Sequence, residues 1–207
     1  MITDTFGQNN MLAVLVPSGE YDKEQALKEE LEKYPQVDTV TGLASVEAID
    51  GYAIGDKLTP REFAELTDMD IEMVRLIYSA YAVEEGSYGR IISGIDTYKI
   101  ALLDMFDFVY DMTENGYVPL NGEMQKSLDE LHTMLDEGKS QLSSENTTRI
   151  VMNLNIPEES EESFEFLNEV RDTAKKYYGD DVLLVGNTTS DYDLSTAFVK
   201  DNLIITI

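Results

Sequence analysis

Few residues in this chain have the chemistry of a catalyst, and their spacing argues against one. His132 is the sole histidine of 207 residues. It stands in an amphipathic helical pattern with no cysteine or second histidine beside it, the usual setting of a surface or boundary residue rather than a general base. Gly138-Lys139-Ser140 has the ending of a phosphate-cradling loop. That loop needs a glycine five positions before its second one, and Thr133 stands there. Neither G-x-S-x-G nor H-E-x-x-H occurs. Acid pairs such as Asp68/Asp70, Glu161/Glu162 and Asp191/Asp193 carry no weight as acid–base couples in so acidic a chain. Asn146-Thr147-Thr148 and Asn187-Thr188-Thr189 match the N-glycosylation pattern, which means little without a secretory setting. There is no cysteine, so a disulfide framework, a thiolate nucleophile and a cysteine zinc site are excluded. The expectation is a protein that is not an enzyme, with no catalytic, cofactor-binding or metal residue and no cofactor.

Charge narrows the partners. Against 15 Lys and Arg stand 41 Asp and Glu, a formal net charge of −26. Phosphate binding needs a basic face, which argues against nucleic acid and anionic lipid headgroups. No D-x-[DN]-x-[DN]-G loop supports calcium binding, and the charge reads first as a solvated surface. Hydrophobic content of 43% supports a real core. The start, M-I-T-D-T-F-G, is not a signal peptide, and no stretch of about 20 apolar residues spans a membrane. The closing L-I-I-T-I reads as a short final strand or as the beginning of a membrane helix.

Two strand–helix–strand units provide the frame for whatever site exists. From Thr148, Ile150, Met152, Leu154 and Ile156 alternate with Arg149, Val151, Asn153 and Asn155, the period-2 pattern of a strand with one buried face. Pro157 stops it. Ser160 or Ser163 caps a helix whose stripe is Phe164, Leu167, Val170, Ala174 and Tyr177, ended by Gly179. Val182 to Val185 is a buried strand. The same grammar opens the chain: a strand from Met11 to Val16, a helix with Leu27, Leu31 and Tyr34 on one side, and a strand in V-D-T-V-T-G-L. The simplest packing is α+β: a ferredoxin-like split βαβ, four-stranded antiparallel sheet with both helices on one face. Its strand order is 4-1-3-2. That order brings Met11 and Val185 together and sends the helical block 59–138 out at the far end. The expected divisions are 1–49 and 147–190 for the two units, 50–146 for a helical insertion and 191–207 for a segment leading toward a membrane helix.

The insertion is helical by its punctuation. Thr59-Pro60-Arg61-Glu62 is a capping box with proline at the first helical position. Thr67-Asp68-Met69-Asp70 opens a second helix, followed by Met73, Val74, Ile77, Tyr78 and Tyr81 at helical spacing. The cluster 86–89 reads as a loop. Ser93 caps a third helix with the stripe Ile95, Tyr98, Leu102, Met105 and Val109. Asn121 precedes a fourth with Met124, Leu128, Leu131 and Leu135, ended by Gly138, and 141–147 is a linker. The Met and Tyr stripes read as core before they read as a ligand pocket. Twelve Tyr and nine Met also supply an adaptable apolar surface where helices meet the sheet.

The end of the chain, L-L-V-G-N-T-T-S-D-Y-D-L-S-T-A-F-V-K-D-N-L-I-I-T-I, resembles the stretch leading into a membrane helix in MMPL-type transporters of the RND superfamily. Val185-Gly186, Asp193-Leu194 and Asp201 fall on the V-G, D-L and pre-membrane Asp of that pattern. F-G-Q-N-N-M-L-A-V-L-V-P resembles the passage from the preceding membrane helix into the first strand. Y-P-Q-V-D-T-V-T-G-L-A-S resembles the helix-to-strand passage of the same domains, and L-T-P-R-E-F-A-E-L the helical insert of Firmicutes members. The motifs are short, but the resemblance runs over nearly the whole chain. It implies an extracytoplasmic porter-type loop domain at the cell membrane, forming part of a path for a hydrophobic or lipid-like substrate. Its partners would be the transporter's transmembrane helices and its other loop domain. The family's proton-relay residues lie in membrane helices, so none carries over. Two other classes fit the same sheet: an acylphosphatase-like enzyme, disfavoured because no arginine precedes Arg61, and a free-standing acidic ligand-binding or adaptor domain.

Overall fold

A computed structural model of the chain describes residues 10–118 and 122–190. In order, the elements are β1 (Asn10–Pro17), α1 (Tyr21–Leu31), β2 (Val37–Thr41), β3 (Glu47–Ile49), β4 (Tyr52–Ala53), β5 (Lys57–Leu58), α2 (Pro60–Thr67), α3 (Ile71–Glu84), α4 (Tyr88–Gly94), β6 (Ile100–Ala101), α5 (Leu102–Glu114), α6 (Gly122–Leu142), β7 (Thr147–Leu154), α7 (Glu161–Tyr178) and β8 (Leu183–Gly186). The fold is mixed α+β with a four-stranded antiparallel sheet. Residues 44–141 form one compact unit; residues before and after them form the other.

The sheet unit follows from alternation. Asn10, Leu12, Val14 and Val16 of β1 are buried, as are Thr148, Ile150, Met152 and Leu154 of β7. Strand order is β2-β7-β1-β8, with every neighbouring pair antiparallel. Leu27 and Leu31 of α1 and Phe166, Leu167, Val170 and Ala174 of α7 join the buried face of all four strands in one cluster. Both helices therefore cover the same side. Tyr34 links them: its ring meets Phe166 edge-on at 5.3 Å and its hydroxyl lies 2.7 Å from Thr173 Oγ1. Ser160 caps α7 by accepting from the Ser163 amide at 3.1 Å, and Gly179 ends it at a φ of +63°. Leu12 faces Gly186 while Pro17 faces Thr147, and β2 ends opposite Val151. Residues 10 and 186 thus lie at one end of the sheet. The chain leaves after Thr41 and returns at Thr147 toward the other end.

The second unit is less purely helical than expected. Asp50 and Gly51, both at positive φ (49° and 81°), join β3 to β4 through a two-residue turn, since Ile49 pairs with Tyr52. Positive φ at both central residues is what a type I′ hairpin requires. Lys57–Leu58 pairs with Ile100–Ala101. That ladder corrects the third helix, which begins at Leu102 and not after Ser93: Ile100 and Ala101 are held extended, and Gly94 turns at a φ of +118°. Residues 88–94, read in part as loop, form α4, and α6 runs past Gly138 to Leu142, into the expected linker. The Thr59 capping box is present as expected, and within the expected helix start 67–70 the cap is Asp70. The core gathers Leu58, Phe63, Val74, Tyr78, Leu102 and Phe106, and Tyr78 donates to the Leu58 carbonyl at 3.0 Å. Asn121, Asp191, Asp193, Leu194, Asp201, residues 203–207 and the Met124 side chain lie outside what is described.

Candidate functional site

The sheet's uncovered face is the first site to build. Opposite the buried row, β1 presents Met11, Ala13 and Leu15, and β8 presents Leu183 and Val185. Register sets Val185 beside Ala13, Ala13 beside Val151, and Val151 beside Thr41; Leu183 beside Leu15, and Leu15 beside Arg149. Met11, Leu183 and Val185 are 46%, 60% and 47% exposed. No acidic side chain stands on this face of β1, β7 or β8. In a chain with 41 acids this leaves an apolar, weakly basic surface able to take up apolar groups. Where β1 ends, a cleft of about 370 Å³ opens between Leu15, Pro17, Asn146, Thr147, Asp181 and Leu183.

Two residues of the family-like pattern fall on β8. Val185 lies on the open face. Gly186 is required by packing, because a Cβ there would sit 2.6 Å from the Met11 carbonyl oxygen. Beyond it the chain is held by a buried polar relay: Thr188 Oγ1 donates to Asn10 Oδ1 at 3.0 Å, and Asn10 Nδ2 donates to the Ile156 carbonyl at 3.1 Å.

The residues singled out for chemistry are not brought together. His132 stacks on Tyr110 with ring centroids 3.7 Å apart and planes 11° off parallel, and its Nδ1 lies 3.7 Å from Asp136. Among the described residues it hydrogen-bonds no serine or threonine. Asp68 takes the left-handed turn after α2, while Asp70 accepts from the Glu72 and Met73 amides at the start of α3. Glu161 and Glu162 sit in the first turn of α7, where negative charge suits the helix dipole. Asn146 and Asn187 are exposed, and Asn187 donates to Glu158 at 2.9 Å. Lys139 pairs with Asp107 at 2.8 Å, away from any phosphate loop. Among the described residues no group of three metal-binding side chains converges, and no helix is long and apolar enough to cross a membrane.

Periodicity misses one polar pair. Glu24, on the inner face of α1, is 2% exposed, and Tyr178 is nearly buried. Burial raises the Tyr178 hydroxyl well above its ordinary range, with the Glu24 and Glu20 carboxylates adding to the effect. Gly42 is fitted to Glu24, since a Cβ there would meet Oε1 at 2.7 Å. The helical unit holds a second cleft, of about 340 Å³, lined by Phe108, Met112, Tyr117, Glu84 and Asp111 among others.

No family model matches this chain, and neither a curated protein nor a solved structure matches it.

Proposed function

We propose that this chain is an extracytoplasmic porter-type domain of an MMPL-like exporter of the RND superfamily, built on a ferredoxin-like split βαβ sheet. One observation carries the reading: the order β2-β7-β1-β8 puts residues 10 and 186 at one end of the sheet and the departure to the 44–141 unit toward the other. A domain looped out between two membrane helices needs its two connections on one side. The open face of Met11, Leu15, Leu183 and Val185 then serves as a wall of the substrate path, suited to a hydrophobic or lipid-like molecule and acting by contact rather than by catalysis. In this reading Val185 and Gly186 close the sheet, and Asp193, Leu194 and Asp201 lead into the following membrane helix.

The reading frame of the gene tests this directly. About a dozen apolar helices flanking the segment are expected, and a stop codon after Ile207 overturns the proposal. In the intact exporter, Leu183→Asp with Val185→Asp should reduce export while leaving the amount of protein in the membrane unchanged.

A further inference from the structure

Helix α3 carries two apolar stripes, and its own unit buries only one. Val74, Ile77, Tyr78 and Ala82 are in the core. On the outer side Met73, Leu76, Ala80 and Val83 follow at steps of three, four and three. That is the a/d spacing of a coiled-coil seam. Met73, Leu76 and Val83 are 36%, 70% and 47% exposed. The chain has 41 acids for outward positions and uses them elsewhere. Along α7 the exposed residues at steps of four, three and four are Glu165, Glu169, Asp172 and Lys176. Single apolar side chains on a surface are ordinary, but a seam of them on the outside of one helix is a contact face of helical form.

The seam opens into a hole. Ala80, its smallest member, also lines the cleft of about 340 Å³, together with Phe108, Met112 and Tyr117. Tyr81 meets Phe108 edge-on at 5.2 Å, which ties α3 to α5 and holds that apolar wall in place. A facing helix seats each seam residue as a knob in a hole between side chains, and the hole beside Ala80 has room for a large one.

Charge selects the occupant. In the heptad register Asp70 and Glu84 flank the seam on one side and Glu72 on the other. Arg75, the basic residue of α3, is held by Glu72 at 2.5 Å and by Asp96 at 2.8 Å. Antiparallel pairing with a second copy of α3 would set Met73 against Val83 and Asp70 against Glu84 twice over, between chains of net charge −26. An anionic membrane surface meets the same repulsion. A helix with Lys or Arg beside its own a/d residues meets attraction at those positions instead. We propose that the outer face of α3 docks a basic amphipathic helix of a partner protein. Its apolar residues lie along Met73, Leu76 and Val83, and one large apolar side chain enters the cleft at Ala80. The proposal goes beyond the exporter reading and does not depend on it.

Fluorescence anisotropy of a labelled helical peptide, titrated with the full chain, tests the assignment. The peptide repeats a heptad with Leu at a and d and Lys at e and g; a second peptide has Glu in place of Lys. Saturable binding of the Lys peptide alone is expected, weakening as salt rises. Leu76→Gln with Val83→Gln, which leaves the charge unchanged, should weaken it about tenfold. Met134→Gln on α6, where the side chain is also 70% exposed, should leave it unchanged. Glu72→Lys with Glu84→Lys should reverse the preference, so that the Glu peptide binds and the Lys peptide does not. All these positions are at the surface, and circular dichroism is expected to show that each variant folds. Equal binding of the two peptides, no saturable binding of the Lys peptide, or undiminished binding by the Leu76 and Val83 variant overturns the proposal. So does a dimer of the full chain that the same variant dissolves, because the face would then belong to a second copy.

Discussion

Helix α7 and the pair α3 and α5 obey opposite rules at their C-terminal ends. Helix α7 opens with Glu161 and Glu162, closes with Lys175 and Lys176, and then turns at Gly179, so charge and dipole agree throughout. Helices α3 and α5 begin conventionally, with Glu72 and Asp104 in their first turns, and end without a basic residue. Both arrangements occur in one acidic chain, so composition alone does not produce the difference. A helix arranged as α7 is optimised for the stability of its own unit. The ends of α3 and α5 leave a local excess of negative charge, and α2 and α4 likewise close without a basic residue.

The largest expected effects test whether both units have real cores under those charges. Leu27 in the sheet unit and Leu102 in the helical unit are fully buried. Each changed to Ala should cost about 2–5 kcal/mol in urea unfolding. Leu128, only half-buried on α6, should cost clearly less. A Leu102→Ala loss no larger than that of a surface Glu→Ala control would mean that the helical stripes are not packed as described. Next comes Gly186→Ala, where the added methyl has no room against the Met11 carbonyl; about 1–3 kcal/mol is expected, with the loss confined to the sheet unit.

Capping gives a smaller, pH-dependent effect. The Thr59 amide and hydroxyl donate to the Glu62 carboxylate at 2.7 and 2.8 Å and hold its pKa below the ordinary 4.5. A carboxylate with a depressed pKa contributes fully above 4.5 and loses that contribution as pH falls through its folded value. Glu62→Gln should therefore cost about 1 kcal/mol near neutrality and flatten the stability curve below pH 4.5. An unchanged acid limb would remove Glu62 from the cap. The smallest effect bears on the contrast itself. Glu84→Gln should raise stability without ligand by about 0.3–1 kcal/mol, and Lys176→Gln in α7 should lower it by a similar amount, both shrinking in high salt. If Glu84→Gln destabilises, the carboxylate supports the fold in spite of the helix dipole.

The sheet unit was legible because β7 alternates over several residues, β1 and β8 are apolar runs bounded by turn residues, and its helices carry stripes and punctuation: Pro157, Ser160 and Gly179 all act where their chemistry suggests. The helical unit was legible only where helices are long. Strands β5 and β6 have two residues each, too few for any period, and their pairing hides the true start of α5. The Asp50-Gly51 hairpin was there to be read, being the strongest short turn signal in the segment. Gly138 looked like a terminator but lies inside α6, where neighbouring turns carry the helix through it. Of the functional surfaces, the alternation of β7 implied an open face, and Leu183 and Val185 were taken for buried strand residues because a four-residue run has no visible polar side. The cleft of the helical unit was not legible, since Glu84, Phe108 and Tyr117 belong to separate elements and come together only in the folded unit.

The central place of β1 also sets an order of events during synthesis. Its two hydrogen-bonding neighbours, β7 and β8, are the last strands of the sheet to leave the ribosome, while residues 44–141 form a contiguous unit made entirely of intervening sequence. Local contacts form quickly and distant ones wait. The helical unit is therefore able to fold first, with the opening strand, α1 and β2 still lacking the partners that satisfy their backbone groups. Until β7 emerges, the apolar strand Asn10–Pro17 has both edges unpaired and is open to wrong partners. A nascent chain stalled before Thr147 should thus show a protected helical unit beside a protease-sensitive, chaperone-binding amino-terminal arm. Release past Gly186 should make that arm resistant in a single step.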